Sequence, residues 1–191
     1  MMGCGDSETK VTALEPTPAD SHVDHNGEIG KGRLAIADAD QALVHIFSLE
    51  DNALVESVTV TQPATSLYAS PESRYAIAVN EALNNVEFID GGLWQELHGN
   101  HYDQHNDTPV LTSFSLSDVK PANYSASGEK AALFFNGDKE TTANANLAIL
   151  SDESISGGKL IAEYHYDTYV NGTAEIRGDY VLAALRDSSS E

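Results

Sequence analysis

The chain has 191 residues, of which 30 are acidic and 10 are basic, so its formal net charge at pH 7 is -20. Such a charge repels phosphate backbones and anionic membrane surfaces, which excludes nucleic acid as a partner. No apolar run approaches the roughly 18 residues that a membrane-spanning helix requires. A chain of this length buries a real core and usually forms one domain, or two small ones.

The N-terminus carries the only cysteine, Cys4, so an internal disulfide is impossible. The run Met1-Met2-Gly3-Cys4-Gly5 resembles the end of a bacterial lipoprotein signal, in which a small residue precedes the lipidated cysteine, although the charged and apolar parts of such a signal are missing. Either the true start lies upstream and Cys4 is lipidated, or Cys4 is a free thiol. We favour the first interpretation, because an acidic polar segment follows the cysteine, as in many lipoproteins.

Residues 1–31 are predicted to form a flexible acidic arm. The segment is rich in Pro, Asp, Glu, Thr and Ser, so it buries too little apolar surface to offset its ordering entropy. His22, Asp24 and His25 lie within it, and unstructured His/Asp tracts bind divalent metal weakly and exchange it quickly. The alternative is a solvated linker with two incidental histidines.

From residue 32 onward, short β-type runs alternate with turn residues, and the runs repeat. Equivalent positions are spaced roughly 40 to 55 residues apart, close to the repeat of a four-stranded propeller blade. These positions are Leu34, Tyr75, Ala131 and Tyr180. A second run follows in the first three repeats, at residues 44–47, 86–89 and 147–150, and candidate outer strands lie at 55–60, 110–116 and 159–166. No segment has a helical period over eleven or more residues, which predicts an all-β domain.

The repeat also assigns two histidines. His45 stands where Glu87 and Ala148 stand in the other repeats, which predicts a solvent-facing strand residue. His165 falls near a blade edge, where a structural role is expected.

The connection between residues 90 and 110 is much longer than an ordinary hairpin loop, and connections of this length in a compact fold are usually functional or disordered. It contains His98, His101 and His105, interleaved with carboxylates. Neutral imidazole is a favoured zinc ligand, and short His-rich tracts commonly bind metal. The spacing suits one face of a helix, whereas Gly99 and Asn100 favour a loop that folds around an ion. The alternative is a solvated polar loop.

The last repeat stops after its first strands. We therefore expect a β-propeller of about three and a half four-stranded blades, an incomplete ring, because propellers usually have four to eight blades. Open sheet edges invite aggregation or partner strands. The expected explanation is that this chain is the N-terminal part of a longer protein, and the alternative is closure by another copy or a second polypeptide.

Several stretches resemble the periplasmic zinc metallochaperones that serve the Azt-type zinc ABC transporter. The resemblance spans roughly residues 32–187, and its strand motifs are ordinary propeller sequence. Its most specific part is Ile89-Asp90-Gly91-Gly92-Leu93-Trp94 followed by Leu97-His98-Gly99-Asn100-His101, similar to the family's I-D-G-G-x-W and H-G-x-H run. Supporting runs are Gly32-Arg33-Leu34-Ala35-Ile36-Ala37-Asp38-Ala39, Tyr68-Ala69-Ser70-Pro71 and Arg74-Tyr75-Ala76.

The resemblance implies a propeller about twice this size, with a mobile His/Asp-rich arm, that delivers zinc to the transporter's substrate-binding protein. His98 and His101 match the family's motif, and His105 is a local extension of it. His22, Asp24 and His25 match the arm in character only. A departure occurs at Tyr169-Val170-Asn171-Gly172, where a histidine pair is expected before the glycine and none is present, which weakens the expected zinc site.

The leading hypothesis is therefore a non-catalytic, Zn(II)-binding propeller of the bacterial periplasm or cell envelope, anchored to the membrane through lipid alone. The alternative is a propeller scaffold that binds protein or glycan without metal, since fold does not determine function. An enzyme is disfavoured, because the sequence has no recognisable Ser-His-Asp set, glycine-rich phosphate loop or HExxH motif.

Overall fold

The computed structural model describes residues 32–117, 120–167 and 169–187. Fifteen strands and one short helix, α1 at Asp152–Ser156, make up the regular structure of these residues. The strands in chain order are β1 Arg33–Ala37, β2 Leu43–Ser48, β3 Leu54–Thr59, β4 Ser66–Ala69, β5 Tyr75–Asn80, β6 Asn85–Asp90, β7 Leu93–His98, β8 His101–Asn106, β9 Val110–Ser117, β10 Lys120–Ser127, β11 Lys130–Asn136, β12 Asn146–Leu150, β13 Ala162–His165, β14 Val170–Arg177 and β15 Tyr180–Asp187.

These strands form four successive antiparallel sheets, which we call blades 1 to 4. Blade 1 has the order β1-β2-β3, blade 2 β4-β5-β6-β9, blade 3 β10-β11-β12-β13 and blade 4 β14-β15, while β7 and β8 pair as a sheet of their own. Two blades thus have four strands, one has three and one has two. The predicted all-β fold, an open array of about three and a half four-stranded blades, is confirmed.

The blades stack face to face, so their central strands are buried on both sides. All six residues of β5 and all five of β12 are buried. Val44 and Ile46 of blade 1 pack on Ala76, Ala78 and Ile89 of blade 2. Comparable clusters lie between blades 2 and 3, around Ile77, Phe88, Leu133 and Leu150, and between blades 3 and 4, around Phe134, Leu147 and Ile176. Each large side chain fully buried in this way stabilises the fold by about 1.5 to 3 kcal/mol.

Buried carboxylates join neighbouring blades. Glu87 of β6 accepts hydrogen bonds from the Thr61 amide at 3.0 Å and the Thr61 hydroxyl at 2.8 Å, which ties blade 2 to the end of blade 1. Asp152 of α1 accepts from the Ser70 hydroxyl at 2.8 Å and the Arg74 amide at 3.1 Å, which ties blade 3 to the β4–β5 turn. Each group loses water on burial, so these bonds are needed to offset that cost.

The helix α1 was not anticipated, because one turn is too short to show a period. Ser151 caps it: its hydroxyl accepts from the Ser154 amide while the Ser154 side chain accepts from the Ser151 amide, a complete capping box. The helix brings Asp152, a residue without any motif around it, to the boundary between two blades.

His45 alternates with Val44 and Ile46 along β2, so it lies on the face of blade 1 that is turned away from blade 2. Its side chain is only 27% exposed, and its Nδ1 lies 2.8 Å from the Ser57 hydroxyl across β2 and β3. The equivalent residues Glu87 and Ala148 are buried at 7% and 1%, because in blades 2 and 3 this face packs on the preceding blade. The prediction of a solvent-facing position is therefore confirmed for His45 only in part, since its side chain is half-buried. His165 ends the edge strand β13 with 68% of its side chain exposed, as its predicted place near a blade edge requires.

Candidate metal centre

The long connection between β6 and β9 is a β-hairpin. Strands β6 and β9 are neighbours in blade 2, and the chain leaves that blade between them to form β7 and β8. The six pairs of the hairpin run from Leu93 opposite Asn106 to His98 opposite His101. The helix interpretation is therefore wrong, and the predicted loop is reduced to the two-residue turn Gly99-Asn100, because the candidate ligands lie on paired strands.

Glycine is required at the base of the hairpin. Gly92 has φ +74°, and a Cβ there would lie 2.1 Å from the Asp107 carbonyl oxygen. The Asp107 amide donates to the Gly92 carbonyl at 2.6 Å, and the Trp94 indole N–H donates to the Asp107 carboxylate at 3.2 Å. The Arg33 guanidinium of β1 also donates to the Asn106 side chain. The first two contacts close the base of the hairpin, and the third joins β8 to blade 1.

The tip of the hairpin is a two-residue turn, Gly99-Asn100, between His98 and His101. Gly99 has φ +68°, and glycine at the first position of a two-residue loop suits the type II′ turn, whose twist matches that of the strands. The turn sets the register that makes His98 and His101 a directly opposed pair.

The pairing sorts the hairpin residues onto two faces, because strand side chains alternate. One face, which we call the ligand face, carries every histidine and carboxylate of the two strands. Its members are Trp94, Glu96, His98, His101, Asp103 and His105. The opposite face carries three apolar side chains, Leu93, Leu97 and Tyr102, after which we call it the apolar face, and three amides, Gln95, Gln104 and Asn106.

Three side chains converge at the tip of the ligand face. His98, His101 and Asp103 each offer a ligand atom, and these atoms all lie within 4.8 Å of one another. His98 Nδ1 is 3.3 Å from Asp103 Oδ2, and His101 Nε2 is 3.2 Å from Asp103 Oδ1. Ligand atoms around a tetrahedral zinc lie ~3.3–3.5 Å apart, given bond lengths near 2 Å. The group has the donor types and nearly the spacing for one divalent cation.

The group is open to solvent. The side chains of His98 and His101 are 77% and 62% exposed, and that of Asp103 is 47% exposed. An ion held there is therefore reachable by an external ligand, unlike an ion in a closed structural site.

His105 lies further down the ligand face and is not brought into this group. Its ring stacks on the Trp94 indole, with centroids 3.8 Å apart and planes at 6°. Its Nε2 is 3.6 Å from Glu96 Oε2, too far for a hydrogen bond. The assignment of His105 as a ligand stays a prediction. On the other side, the Arg74 guanidinium lies 4.2 Å from the Trp94 ring centroid and pairs with Asp90 at 2.7 Å.

Asp103 is the ligand candidate that sequence reasoning noted but did not select. The signal was present: Gly-Asn between two polar runs predicts a two-residue hairpin, and a period of two places Asp103 beside His101. The other predicted site residues, His22, Asp24 and His25 of the arm and Cys4, lie outside the described residues.

The stretch that lacks the family's histidine pair has a packing role. Gly172 of β14 lies where a Cβ would approach Phe134 to 2.7 Å and the Ala184 carbonyl to 2.8 Å, so only glycine fits. Its amide donates to Asn136 at 2.9 Å, and Val170 is buried. This segment contributes to the contact between blades 3 and 4.

The fold also brings together a serine, a histidine and an aspartate that the sequence did not reveal as a set. His45 contacts the Ser57 hydroxyl, but its Nε2 is 3.8 Å from the Asp38 carboxylate, beyond hydrogen-bond distance. Asp38 instead accepts from the amides of Asp40 and Gln41, which hold the pKa of its carboxyl below the ordinary value. A catalytic triad requires the aspartate to orient the imidazole, so this set does not meet its geometry.

No helix among the described residues has the length and apolar character that crossing a bilayer demands.

No protein-family model and no curated protein matches the chain. Among solved structures it is similar to AztD from Citrobacter koseri, with a TM-score of 0.65 and 23% identity over 82% of this chain and 40% of that chain. Apo AztD from the same organism gives a TM-score of 0.66 at 23% identity, over 81% of this chain and 40% of that chain. The chain thus spans 40% of the length of AztD and shares its fold over that part. At the level of the fold, the resemblance seen in the sequence is confirmed.

Proposed function

We propose that this protein is a zinc-binding, chaperone-like propeller of the bacterial cell envelope that hands Zn(II) to the substrate-binding protein of a zinc ABC transporter. The observation that carries the proposal is the convergence of His98, His101 and Asp103 at the hairpin tip. The shared fold with AztD and the family-like H-G-x-H run support it.

Two imidazoles and a carboxylate form a donor set that suits zinc. Three protein ligands leave a fourth tetrahedral position to water or to an incoming ligand. Because the group is exposed at a hairpin tip, an acceptor protein can add its own ligand before the donor releases the ion. The site is thus suited to transfer rather than to permanent retention, and the proposal assigns no catalytic step to it.

The remaining predicted ligands have auxiliary roles in this proposal. His105 adds a donor if its ring leaves the Trp94 stack, and His22, Asp24 and His25 of the arm capture the ion transiently. An envelope location follows from the same resemblance, with Cys4 as the lipid-bearing residue that tethers the chain to a membrane.

The test is zinc titration by calorimetry of the full chain and of the paired variant His98→Ala/His101→Ala. The matched control is His165→Ala, which removes an exposed histidine that also has a carboxylate neighbour, Glu163 at 3.4 Å, but lies outside the hairpin. We expect the paired variant to lose the heat of zinc binding and the control to keep it. Equal affinity in all three proteins would favour a scaffold that binds protein or glycan without metal.

Transfer is tested separately by mixing the zinc-loaded chain with the metal-free substrate-binding protein, separating the two and measuring zinc in each. The proposal predicts movement of zinc to the acceptor faster than a chelator of equal affinity removes it, because the open coordination position allows a mixed complex. A rate equal to spontaneous dissociation would contradict direct hand-over.

A further inference from the structure

A cleft of about 830 Å³ lies behind the ligand face, between the hairpin and α1. Gln95, Tyr102 and Gln104 of the apolar face line one side of it. Glu72, Glu153 and Lys159 line the other side. The cleft therefore has a wall formed by the hairpin itself, mostly by the face opposite the candidate ligands, and Trp94 of the ligand face contributes near the hairpin base.

Two large apolar side chains extend this wall to the hairpin tip. Leu97 and Tyr102 form a directly opposed cross-strand pair, adjacent to the His98–His101 pair. They are 61% and 56% exposed. Single exposed apolar residues are common, whereas this opposed pair adds a continuous apolar area beside a cleft, as a docking site requires.

Carboxylates outnumber cations around this surface, since Glu72, Asp152 and Glu153 line the cleft together with Arg74 and Lys159. The hairpin carries Glu96 and Asp103 and has no Lys or Arg. At the far wall, partial loss of solvent and the neighbouring carboxylates of Asp152, Glu129 and Glu153 raise the pKa of Glu72. Arg74, which also lines the cleft, is paired with Asp90.

We propose that the cleft and the Leu97–Tyr102 pair dock a segment of a protein partner that carries a large apolar side chain flanked by Lys or Arg. The inference rests on the proposed function in one respect: the partner is taken to be the zinc acceptor. A second copy of this chain is disfavoured as the occupant, because it carries the same net charge of -20. Anionic lipid headgroups are disfavoured for the same reason.

The arrangement separates docking from metal binding. A partner that covers the apolar face leaves the ligand face uncovered, because the two sets of side chains point to opposite sides of the hairpin. The partner nevertheless lies at the turn that holds His98 and His101. Docking thus brings acceptor ligands to the tip without displacing the ion first.

The experiment measures binding of the purified metal-free substrate-binding protein of the zinc transporter from the same organism to the immobilised full chain. The test variant is Leu97→Ser/Tyr102→Ser. The matched control is Tyr164→Ser, which removes a tyrosine of similar exposure, 55%, from the edge strand β13. We expect at least tenfold weaker binding by the test variant and no change in the control. Glu153→Lys should weaken binding and reduce its dependence on salt concentration.

Zinc titration of the same variants separates this inference from the proposed function. Zinc affinity unchanged in Leu97→Ser/Tyr102→Ser, together with weakened partner binding, supports the docking surface. Equal partner binding by wild type and test variant, or no binding by wild type, overturns it and leaves the metal site to its own test. Concentration-dependent self-association that Tyr102→Ser abolishes also overturns it, since the occupant is then a second copy.

Discussion

The imidazole of His105 lies flat against the indole of Trp94, with the ring centroids 3.8 Å apart and the planes at 6°. Arg74 lies over the same indole at 4.2 Å from its centroid. Of the three hairpin histidines, His105 lies nearest the hairpin base and is part of a packed stack that holds the hairpin in place. His98 and His101 lie at the tip and are exposed. Residues of one type and one sequence cluster have different roles because they stand at different heights on the hairpin.

Substitution of His105 tests this division. Loss of an outer-shell partner typically lowers metal affinity by ~10–100-fold. We expect His105→Ala to lower zinc affinity by less than this, and His98→Ala to lower it by more than this. The reason is that only His98 belongs to the converged group. Competition with a chromogenic chelator measures both. Equal losses would show that His105 leaves the stack to bind the ion.

Gly92→Ala should disrupt the hairpin base, because the new Cβ would lie 2.1 Å from the Asp107 carbonyl oxygen at φ +74°. Gly128→Ala is the control, since its φ of +59° is similar and no atom lies within 4 Å. We expect about 1 to 2 kcal/mol of destabilisation from the control, the cost of left-handed backbone alone. Gly92→Ala should lower the free energy of unfolding, measured in urea, by more than the control does, and it should also weaken zinc binding. Similar effects of the two changes would contradict the requirement for glycine.

Asp152→Ala should destabilise the propeller by about 2 to 4 kcal/mol, because it leaves the Ser70 hydroxyl and the Arg74 amide without their acceptor. The comparison is Asp179→Ala, which removes an exposed carboxylate 3.2 Å from Lys130 and should cost at most ~1 kcal/mol. The midpoints of the urea unfolding curves, compared at equal m-value, measure the difference in the free energy of unfolding. If Asp152→Ala costs no more than Asp179→Ala, the carboxylate does not hold blades 2 and 3 together.

Glu72→Gln should raise the thermal midpoint at pH 7. Partial desolvation, and then repulsion by Asp152, Glu129 and Glu153, raise the pKa of the exposed Glu72 carboxyl. Between the ordinary and the raised pKa the folded chain binds more protons than the unfolded chain, so the free energy of unfolding falls as pH rises through that interval. The gain should vanish at about pH 3.5, below the ordinary pKa, where both states are protonated. Glu81→Gln serves as the control, and a gain independent of pH would contradict the cause given.

The strand pattern and the turns could be predicted because they depend on neighbours in sequence. The equivalent residues Leu34, Tyr75, Ala131 and Tyr180 all fall in strands. The last three lie in the second strand of their blades, whereas Leu34 lies in the first strand of the three-stranded blade 1. The excursion between β6 and β9 was also visible, since its length exceeds any ordinary hairpin loop. The hairpin structure of this excursion was not predicted, because spacings of three and four residues between histidines suit a helix as well as a hairpin tip.

Sequence alone determined that the chain is a repeated antiparallel structure with an imidazole-bearing excursion, since alternation, turn chemistry and repeat length are local properties. Only the tertiary structure decided that Asp103 joins His98 and His101, that His105 stacks on Trp94, and that Asp152 of blade 3 holds the turn of blade 2. Those relations depend on which faces the stacked sheets and the paired strands turn towards each other. Such contacts join side chains across pairings that no single stretch of sequence encodes.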